Sequence, residues 1–127
     1  MALRPTYVGA ADLGPDLETL LRNAKQLSED GRHRESAEAY IVAADLAEEI
    51  GMAIMARFAR TSARRQIVVA WAQKRFAHEY IQSGDIHIDR SVSQREEVTR
   101  FLIRVNASHM VRVSVSPRGR VSIVTRR

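Results

Sequence analysis

The last seventeen residues, "VRVSVSPRGRVSIVTRR" (111–127), decide that the fold is not entirely helical. Apolar and polar side chains alternate on both sides of "SPRG", and a period of two is typical of β-strands. Pro117 and Gly119 suit a type I turn closed by a glycine bulge. If Ser116 lies opposite Arg120, valine and isoleucine occupy one face and arginine and serine the other. The sequence therefore predicts a β-hairpin with one packed face and one polar face.

The valine face of this hairpin needs something to cover it, because an isolated hairpin is marginal in water. The preceding stretch, "SQREEVTRFLIRV" (93–105), begins with the capping-box pair Ser93 and Glu96. Its apolar residues follow at helical spacing, which predicts a helix with one apolar stripe. We expect that stripe to cover the valine face, with a twofold-related copy as the next candidate. Residues 93–127 are thus predicted to form a small α-β-β unit.

The earlier part of the chain is predicted to be helical. Residues 1–14 are predicted to be a flexible arm, and residues 15–83 a helical domain whose first helix starts at Pro15 and stops before Gly31. A second helix stops at Gly51. Residues 52–82 contain no glycine or proline and form one helix, or two with a break in "RTSARR" (60–65). Residues 84–92 are predicted to be a linker.

The predicted fold class is α+β, mainly α. It consists of an antiparallel helical hairpin plus a long helical segment, followed by a C-terminal helix and a β-hairpin. Within the long segment, "IVVAWA" (67–72) is apolar all round and is expected to be buried. Trp71 and Phe76 are expected to belong to this core rather than to a stacking platform for bases.

One stretch, "NAKQLSEDGRHRESAEAYIVAADLAEEIG" (23–51), carries a resemblance to a known family. It has small residues at Ala24, Ser36 and Ala43, a turn glycine at Gly31, and an aromatic at Tyr40. This pattern resembles a tetratricopeptide-repeat helical hairpin over residues 17–50. The resemblance implies an antiparallel helix pair used for protein contacts. Only one good copy is present, whereas a solenoid needs about three repeats to form a groove.

Charge is divided unevenly along the chain. Residues 1–51 hold five basic and ten acidic residues, while residues 52–127 hold fifteen basic and five acidic ones. From Arg100 onward there are seven arginines and no acid. This division predicts two surfaces with different partners, or two surfaces that pair between copies. Arginine suits phosphates better than lysine does, although a compositional bias would also explain the excess of arginine.

The basic half supplies the candidate nucleic-acid-binding residues. They are Arg57, Arg60, Arg64, Arg65, Arg112, Arg118, Arg120, Arg126 and Arg127. Two alternatives stay open here. The arginines of the long helix would pair equally well with the acids of the second helix, and those of the hairpin would serve equally well as an ordinary solvated face. The acids, which are also the candidate protein-binding residues, are Glu38, Asp45, Glu48 and Glu49.

Catalytic and metal chemistry find little support in the sequence. The chain has no cysteine, which excludes disulfides, thiol nucleophiles and cysteine-ligated zinc. Asp85, His87 and Asp89 in "DIHID" share one side of an extended chain, but we expect an edge strand there rather than a metal site. We therefore expect a non-enzymatic protein without metal or cofactor. A pocket that gathers His78, Glu79 or His87 would favour an enzyme instead.

The leading hypothesis is a binding protein. Its basic C-terminal half contacts nucleic acid, DNA or RNA, mainly through phosphates, and its acidic helical hairpin contacts a protein. The alternative is a protein–protein adaptor or a self-assembling subunit with no nucleic-acid role, and in either case we expect a homo-oligomer. Since the longest apolar stretch is too short to span a bilayer and no signal peptide is recognisable, we expect no membrane contact and a cytoplasmic location.

Overall fold

The computed structural model describes residues 16–89 and 97–124. Three α-helices come first: α1 (Leu17–Glu29), α2 (His33–Glu49) and α3 (Ala53–Arg75). Two short 3₁₀ turns follow, at Ala77–Glu79 and Ser83–Asp85. The rest is one antiparallel sheet in the order β1-β2-β3-β4, with strands β1 (Ile86–Ile88), β2 (Arg100–Asn106), β3 (His109–Val115) and β4 (Val121–Ile123). The predicted class, α+β and mainly α, is confirmed.

The predicted pair of packed helices at the start of the chain is also confirmed. Gly31 adopts a φ of +80°, which lets the chain leave α1 and enter α2 at once. Small residues then allow α2 to approach its neighbours closely. Ser36 is buried and its Oγ donates a hydrogen bond of 2.7 Å to the carbonyl oxygen of Ala24. Ala43 and Tyr40 are buried on the same helix and join a core that α1, α2 and α3 share.

α3 is one continuous helix through residues 60–65, so of the two alternatives that the sequence left open, the single helix applies. Its 23 residues extend for about 34 Å at 1.5 Å per residue. Ala59 and Ala63 pack in the core shared with α2, whereas Val68 and Val69 pack in the core shared with the sheet. Because both halves of α3 are held by neighbours, the helix continues through Thr61 and Ser62 without ending. It stops at Arg75, earlier than the predicted end at residue 82.

The predicted C-terminal helix is wrong, since Arg100–Asn106 is strand β2. Phe101, Ile103 and Val105 are buried, while Arg100 and Arg104 between and beside them are exposed. This alternation matches a strand with one buried face, and β-branched residues favour it further. The capping pair Ser93 and Glu96, on which the helix prediction depended, lies outside the described residues.

The C-terminal hairpin has the predicted register. Val115 pairs with Val121, Ser114 with Ser122, and Val113 with Ile123. The amide of Ser116 donates to the carbonyl oxygen of Arg120 at 2.9 Å, so these two residues lie opposite each other as expected.

The partner of the valine face differs from both predicted candidates. Val111, Val113 and Val115 are buried against Val68 and Val69 of α3, within the same chain. A helix–sheet contact therefore replaces the predicted cover by a C-terminal helix or a second copy.

Strand β1 lies at the edge of the sheet, so the edge strand expected in "DIHID" is confirmed within the segment that was predicted to be a linker. Ile86 is fully buried and joins the core that Phe101 and α3 share. Trp71 and Phe76 pack against this core, with their rings edge to face at 5.9 Å between centroids. The expectation that both aromatics belong to the core is thus confirmed. Among the described residues, no helix is both long enough and apolar enough to cross a membrane.

Candidate nucleic-acid interface

The sheet has one face against α3 and an outer face that points away from it. Strand pairing places outer-face residues in three rows across the strands. The rows are His87, Leu102 and Arg112; Arg100, Ser114 and Ser122; and Arg104 and Met110. The alternation continues beyond the strands to Ser116 and Arg120, which face each other past the ends of β3 and β4. The outer face therefore carries four arginines and several serines.

Three of these arginines project into solvent. Arg100, Arg104 and Arg120 are exposed and form no ion pair with another described residue. Arg100 and Arg104 lie four residues apart on β2, about 13 Å at the rise of a strand. Arg112 lies between them on the neighbouring strand, because it pairs with Leu102. The sequence prediction missed Arg100 and Arg104, because it placed them on a helix. The alternation of residues 100–106 was the signal for their position.

The fourth arginine, Arg112, is held by a buried carboxylate. Its Nε lies 2.9 Å from Oδ2 of Asp89, whose side chain is only 3 % exposed. This ion pair crosses from the end of β1 to β3 and keeps the guanidinium close to the sheet surface. Asp89 is therefore buried and engaged by Arg112, whereas His87 is exposed, so the predicted side-by-side triplet of Asp85, His87 and Asp89 is not an open site. Within residues 16–89 and 97–124 no group of three histidine, aspartate or glutamate side chains is placed to hold a metal ion.

Two arginines of α3 hold a single carboxylate that precedes β2. Arg60 Nε donates to Glu97 Oε1 at 2.6 Å, and Arg64 Nη2 donates to Glu97 Oε2 at 2.8 Å. The hydrogen bond from Arg64 is the main cause that lowers the pKa of Glu97, and the one from Arg60 adds to it against the effect of burial. Arg60 also reaches Glu48 of α2 at 3.3 Å. Of the predicted pairing between the arginines of the long helix and the acids of the second helix, the described residues show Arg60 with Glu48, and Glu97 is a partner that was not foreseen.

The other two predicted residues of α3 differ from each other. Arg65 Nη2 donates a hydrogen bond of 2.6 Å to the carbonyl oxygen of Ile86, and thereby ties α3 to β1. The Arg57 side chain is exposed and forms no hydrogen bond or ion pair with another described residue. The structure therefore does not bring Arg57, Arg60, Arg64 and Arg65 together as one open arginine stripe.

Arg118 lies at the tip of the β3–β4 turn, away from the outer face. Gly119 beside it has a φ of +83°, and a Cβ at that position would lie 3.4 Å from Cδ1 of Ile67 on α3. Arg118 lines a groove of about 260 Å³ between this turn, α2 and α3, together with Asp45 and Ile41. The remaining predicted residues, Arg126 and Arg127, lie outside the described residues.

The predicted protein-binding acids separate into two groups. Glu48 forms the ion pair with Arg60 described above. Glu38, Asp45 and Glu49 are exposed on α2 and form no ion pair with another described residue.

The residues that would have favoured an enzyme do not converge. His78 and Glu79 are exposed in the 3₁₀ turn after α3, whereas His87 lies on the outer face of the sheet. Comparison of the chain with protein-family models, with curated proteins and with solved structures finds no match. The function of the outer face is therefore inferred from its geometry and charge alone.

Proposed function

We propose that this protein binds nucleic acid, DNA or RNA, through the phosphates, with the outer face of its sheet. The observation that carries the proposal is the charge of that face. Strands β2, β3 and β4 contain no acidic residue, and the face they build presents Arg100, Arg104, Arg112 and Arg120 among serine hydroxyls. The carboxylate nearest to this set, Asp89, is buried against Arg112. A solvated face needs polar residues, but it does not need them to be all of one sign.

The chemistry of these side chains suits a phosphate backbone. Guanidinium groups bind phosphate oxygens in pairs of hydrogen bonds, and serine hydroxyls add neutral contacts to the same oxygens. Arginines about 13 Å apart, with a third between them on the next strand, present charge along a line rather than at a point. Such contacts fix a nucleic acid on the surface without reading its sequence.

The arginines assigned to the binding surface differ from those that the sequence predicted within the basic half. Arg60, Arg64 and Arg65 are engaged by Glu97, Val98 and Ile86, so they are assigned a structural role. Arg57 and Arg118 contribute positive charge from other sides of the molecule. Arg100 and Arg104 take the central place, because both are exposed and neither is needed to neutralise an acid.

Salt dependence is the quantitative expectation. Each phosphate neutralised on duplex DNA contributes about 0.9 to the slope of log K against log salt concentration. Three or four arginine contacts give a slope of roughly −3. Affinity should then fall about 50-fold between 50 and 200 mM salt.

The test compares two double variants that remove the same charge. Arg100→Gln with Arg104→Gln changes the outer face, whereas Lys25→Gln with Arg34→Gln changes exposed positions on α1 and α2. Binding of labelled 20-base-pair DNA, RNA duplex and single strands is measured by fluorescence anisotropy from 50 to 200 mM salt. We expect the sheet variant to bind at least about tenfold more weakly, with a slope reduced by about 2, and the control to stay within about twofold.

Two results would overturn the proposal. One is the absence of binding to any of these nucleic acids at 50 mM salt. The other is an equal loss in both double variants, because net charge rather than the outer face would then explain the affinity.

A further inference from the structure

Two large apolar side chains lie near the start of α3, before the part of the helix that the sheet covers. Ile54 and Phe58 fall on the same side of the helix as Val69, which is fully buried. Arg65 lies between Phe58 and Val69 on that side, so Ile54 and Phe58 form a separate apolar patch. Ile54 is nevertheless 84 % exposed and Phe58 53 % exposed. Two large apolar side chains, one turn apart and uncovered, mark a contact surface.

A basic side chain lies beside these two residues. Arg57 lies next to Phe58, is exposed and has no ion pair with another described residue. Residues 53–65 contain no acid, and the other three arginines there are engaged by Glu97, Val98 and Ile86. We call Ile54, Arg57 and Phe58 the basic–apolar surface. Its chemistry fits a partner that presents an apolar side chain among carboxylates.

α2 presents such a surface on its outward side. Glu38, Val42, Asp45 and Glu49 follow one another at i, i+4, i+7 and i+11, so they form one stripe along the helix. All four are exposed, and Val42 is 53 % exposed. We call these four residues the acidic surface. It extends for about 16 Å along α2.

The two surfaces are not placed to meet within one molecule. α2 contacts its neighbours through Ala43, Ala44 and Ala47, which are buried, so Glu38, Val42 and Glu49 point away from them. Asp45 also borders the groove that Arg118 lines. α3 contacts α2 through Ala59 and Ala63, so Ile54 and Phe58 also point away from α2. Complementary charge, with Arg57 on one surface and Glu38 and Glu49 on the other, therefore favours contact between copies.

We propose that the acidic surface of one copy docks on the basic–apolar surface of a second copy. This contact joins two different surfaces, so its head-to-tail repetition gives an open chain or a ring. Desolvation of Phe58 and Ile54 against Val42 supplies the apolar centre, and Arg57 faces the carboxylates at the rim.

The test uses two variants that each destroy one surface. The first is Arg57→Glu with Phe58→Ser, and the second is Glu38→Lys with Glu49→Lys. All four positions are exposed, so both variants should fold, which circular dichroism checks. The matched control is Lys25→Glu on α1, an exposed position outside both surfaces. Nuclease-treated samples are examined by sedimentation velocity from about 5 to 500 μM at 50 mM and 500 mM salt.

We expect the wild type and the control to grow in size with concentration at 50 mM salt and to dissociate at 500 mM. Each double variant alone should associate at least about tenfold more weakly. An equimolar mixture of the two variants should form a dimer, because each supplies the surface that the other lacks.

Three results would overturn the proposal. These are a wild type that is monomeric throughout the concentration range at 50 mM salt, variants that associate as the wild type does, and a mixture that stays monomeric. Dimerisation of the acidic-surface variant alone would instead show that the basic–apolar surface pairs with itself, which also contradicts the proposal. Neither surface includes the outer face of the sheet, so the outcome is independent of nucleic-acid binding.

Discussion

Replacement of Glu97 by glutamine should destabilise the protein, because this carboxylate joins the segment before β2 to α3. It accepts hydrogen bonds from Arg60 at 2.6 Å and from Arg64 at 2.8 Å. Two hydrogen bonds to charged groups would contribute roughly 3–6 kcal/mol if they were shielded from water. The Glu97 side chain is 36 % exposed, whereas Arg64 is only 16 % exposed, so solvent screening lowers this value substantially. We expect a loss of about 1–2 kcal/mol in the free energy of unfolding at pH 7.

The pH dependence of this loss follows from the pKa of Glu97. Its neighbouring arginines, Arg64 first, lower that pKa below the ordinary value of 4.5. A carboxylate with a lowered pKa in the folded state stabilises the protein fully above its unfolded pKa. This stabilisation disappears as the pH falls through the folded pKa. The difference between wild type and Glu97→Gln should thus be constant from pH 7 to about 5.5 and shrink below about 4.5.

Urea denaturation followed by circular dichroism measures this difference. With a slope of about 1.5 kcal/mol per molar urea, the transition midpoint of Glu97→Gln should fall by about 1 M at pH 7. Glu79→Gln, at an exposed position after α3, is the control and should stay within about 0.5 kcal/mol of the wild type. Equal midpoints for wild type and Glu97→Gln at pH 7, or a difference that widens on acidification, would refute the reasoning.

Two further predictions concern the sheet. Phe101→Ala removes a fully buried ring and should lower the free energy of unfolding by about 3–5 kcal/mol. Leu102→Ala, on the outer face, should lower it by about 1 kcal/mol. Similar losses for both variants in urea denaturation would contradict the assignment of residues 100–106 to a strand with one buried face. Arg112→Leu removes the guanidinium that pairs with Asp89 and should lower the free energy of unfolding by roughly 2 kcal/mol. Arg100→Leu should change it by less than about 0.5 kcal/mol. A larger loss for Arg100→Leu than for Arg112→Leu in thermal unfolding would contradict the stabilising role of the Arg112–Asp89 pair.

Local patterns in the sequence were sufficient to predict the structure where the periodicity of a single kind of element, helix or strand, dominated. The alternation around "SPRG" specified the register of β3 and β4, because a slip of one residue would have turned Val113 and Val115 outward. Gly31 and Gly51 marked the ends of α1 and α2 for a similar reason, since both take a positive φ that other residues rarely adopt. At the hairpin and at the two helix ends, a few adjacent residues were enough to favour one backbone conformation.

The segment before the hairpin shows where such local patterns fail. Val98, Phe101, Leu102 and Val105 satisfy helical spacing, whereas Phe101, Ile103 and Val105 satisfy strand spacing. The local sequence does not decide between helix and strand. Leu102 belongs to the apolar stripe of the helical pattern, and in the strand pattern it is accommodated half-buried on the outer face of the sheet. The decision comes from pairing with β1 and β3 and from the apolar face of α3, which are contacts distant in sequence.

The arginines of the basic half look alike in the sequence, yet the fold places them in two different settings. Arg64 meets Glu97, 33 residues away, and no local pattern could have predicted this pair. Arg104 lies on a sheet face whose strands β2, β3 and β4 carry no acid, and its position follows from alternation alone once β2 is known to be a strand. Removal of Arg64 should therefore lower stability, whereas removal of Arg104 should leave stability unchanged and, on the proposed function, lower the affinity for nucleic acid. Because the two settings predict losses in different measurements, the number of arginines alone is a poor guide to the proposed interface, and their partners within the fold are a better one.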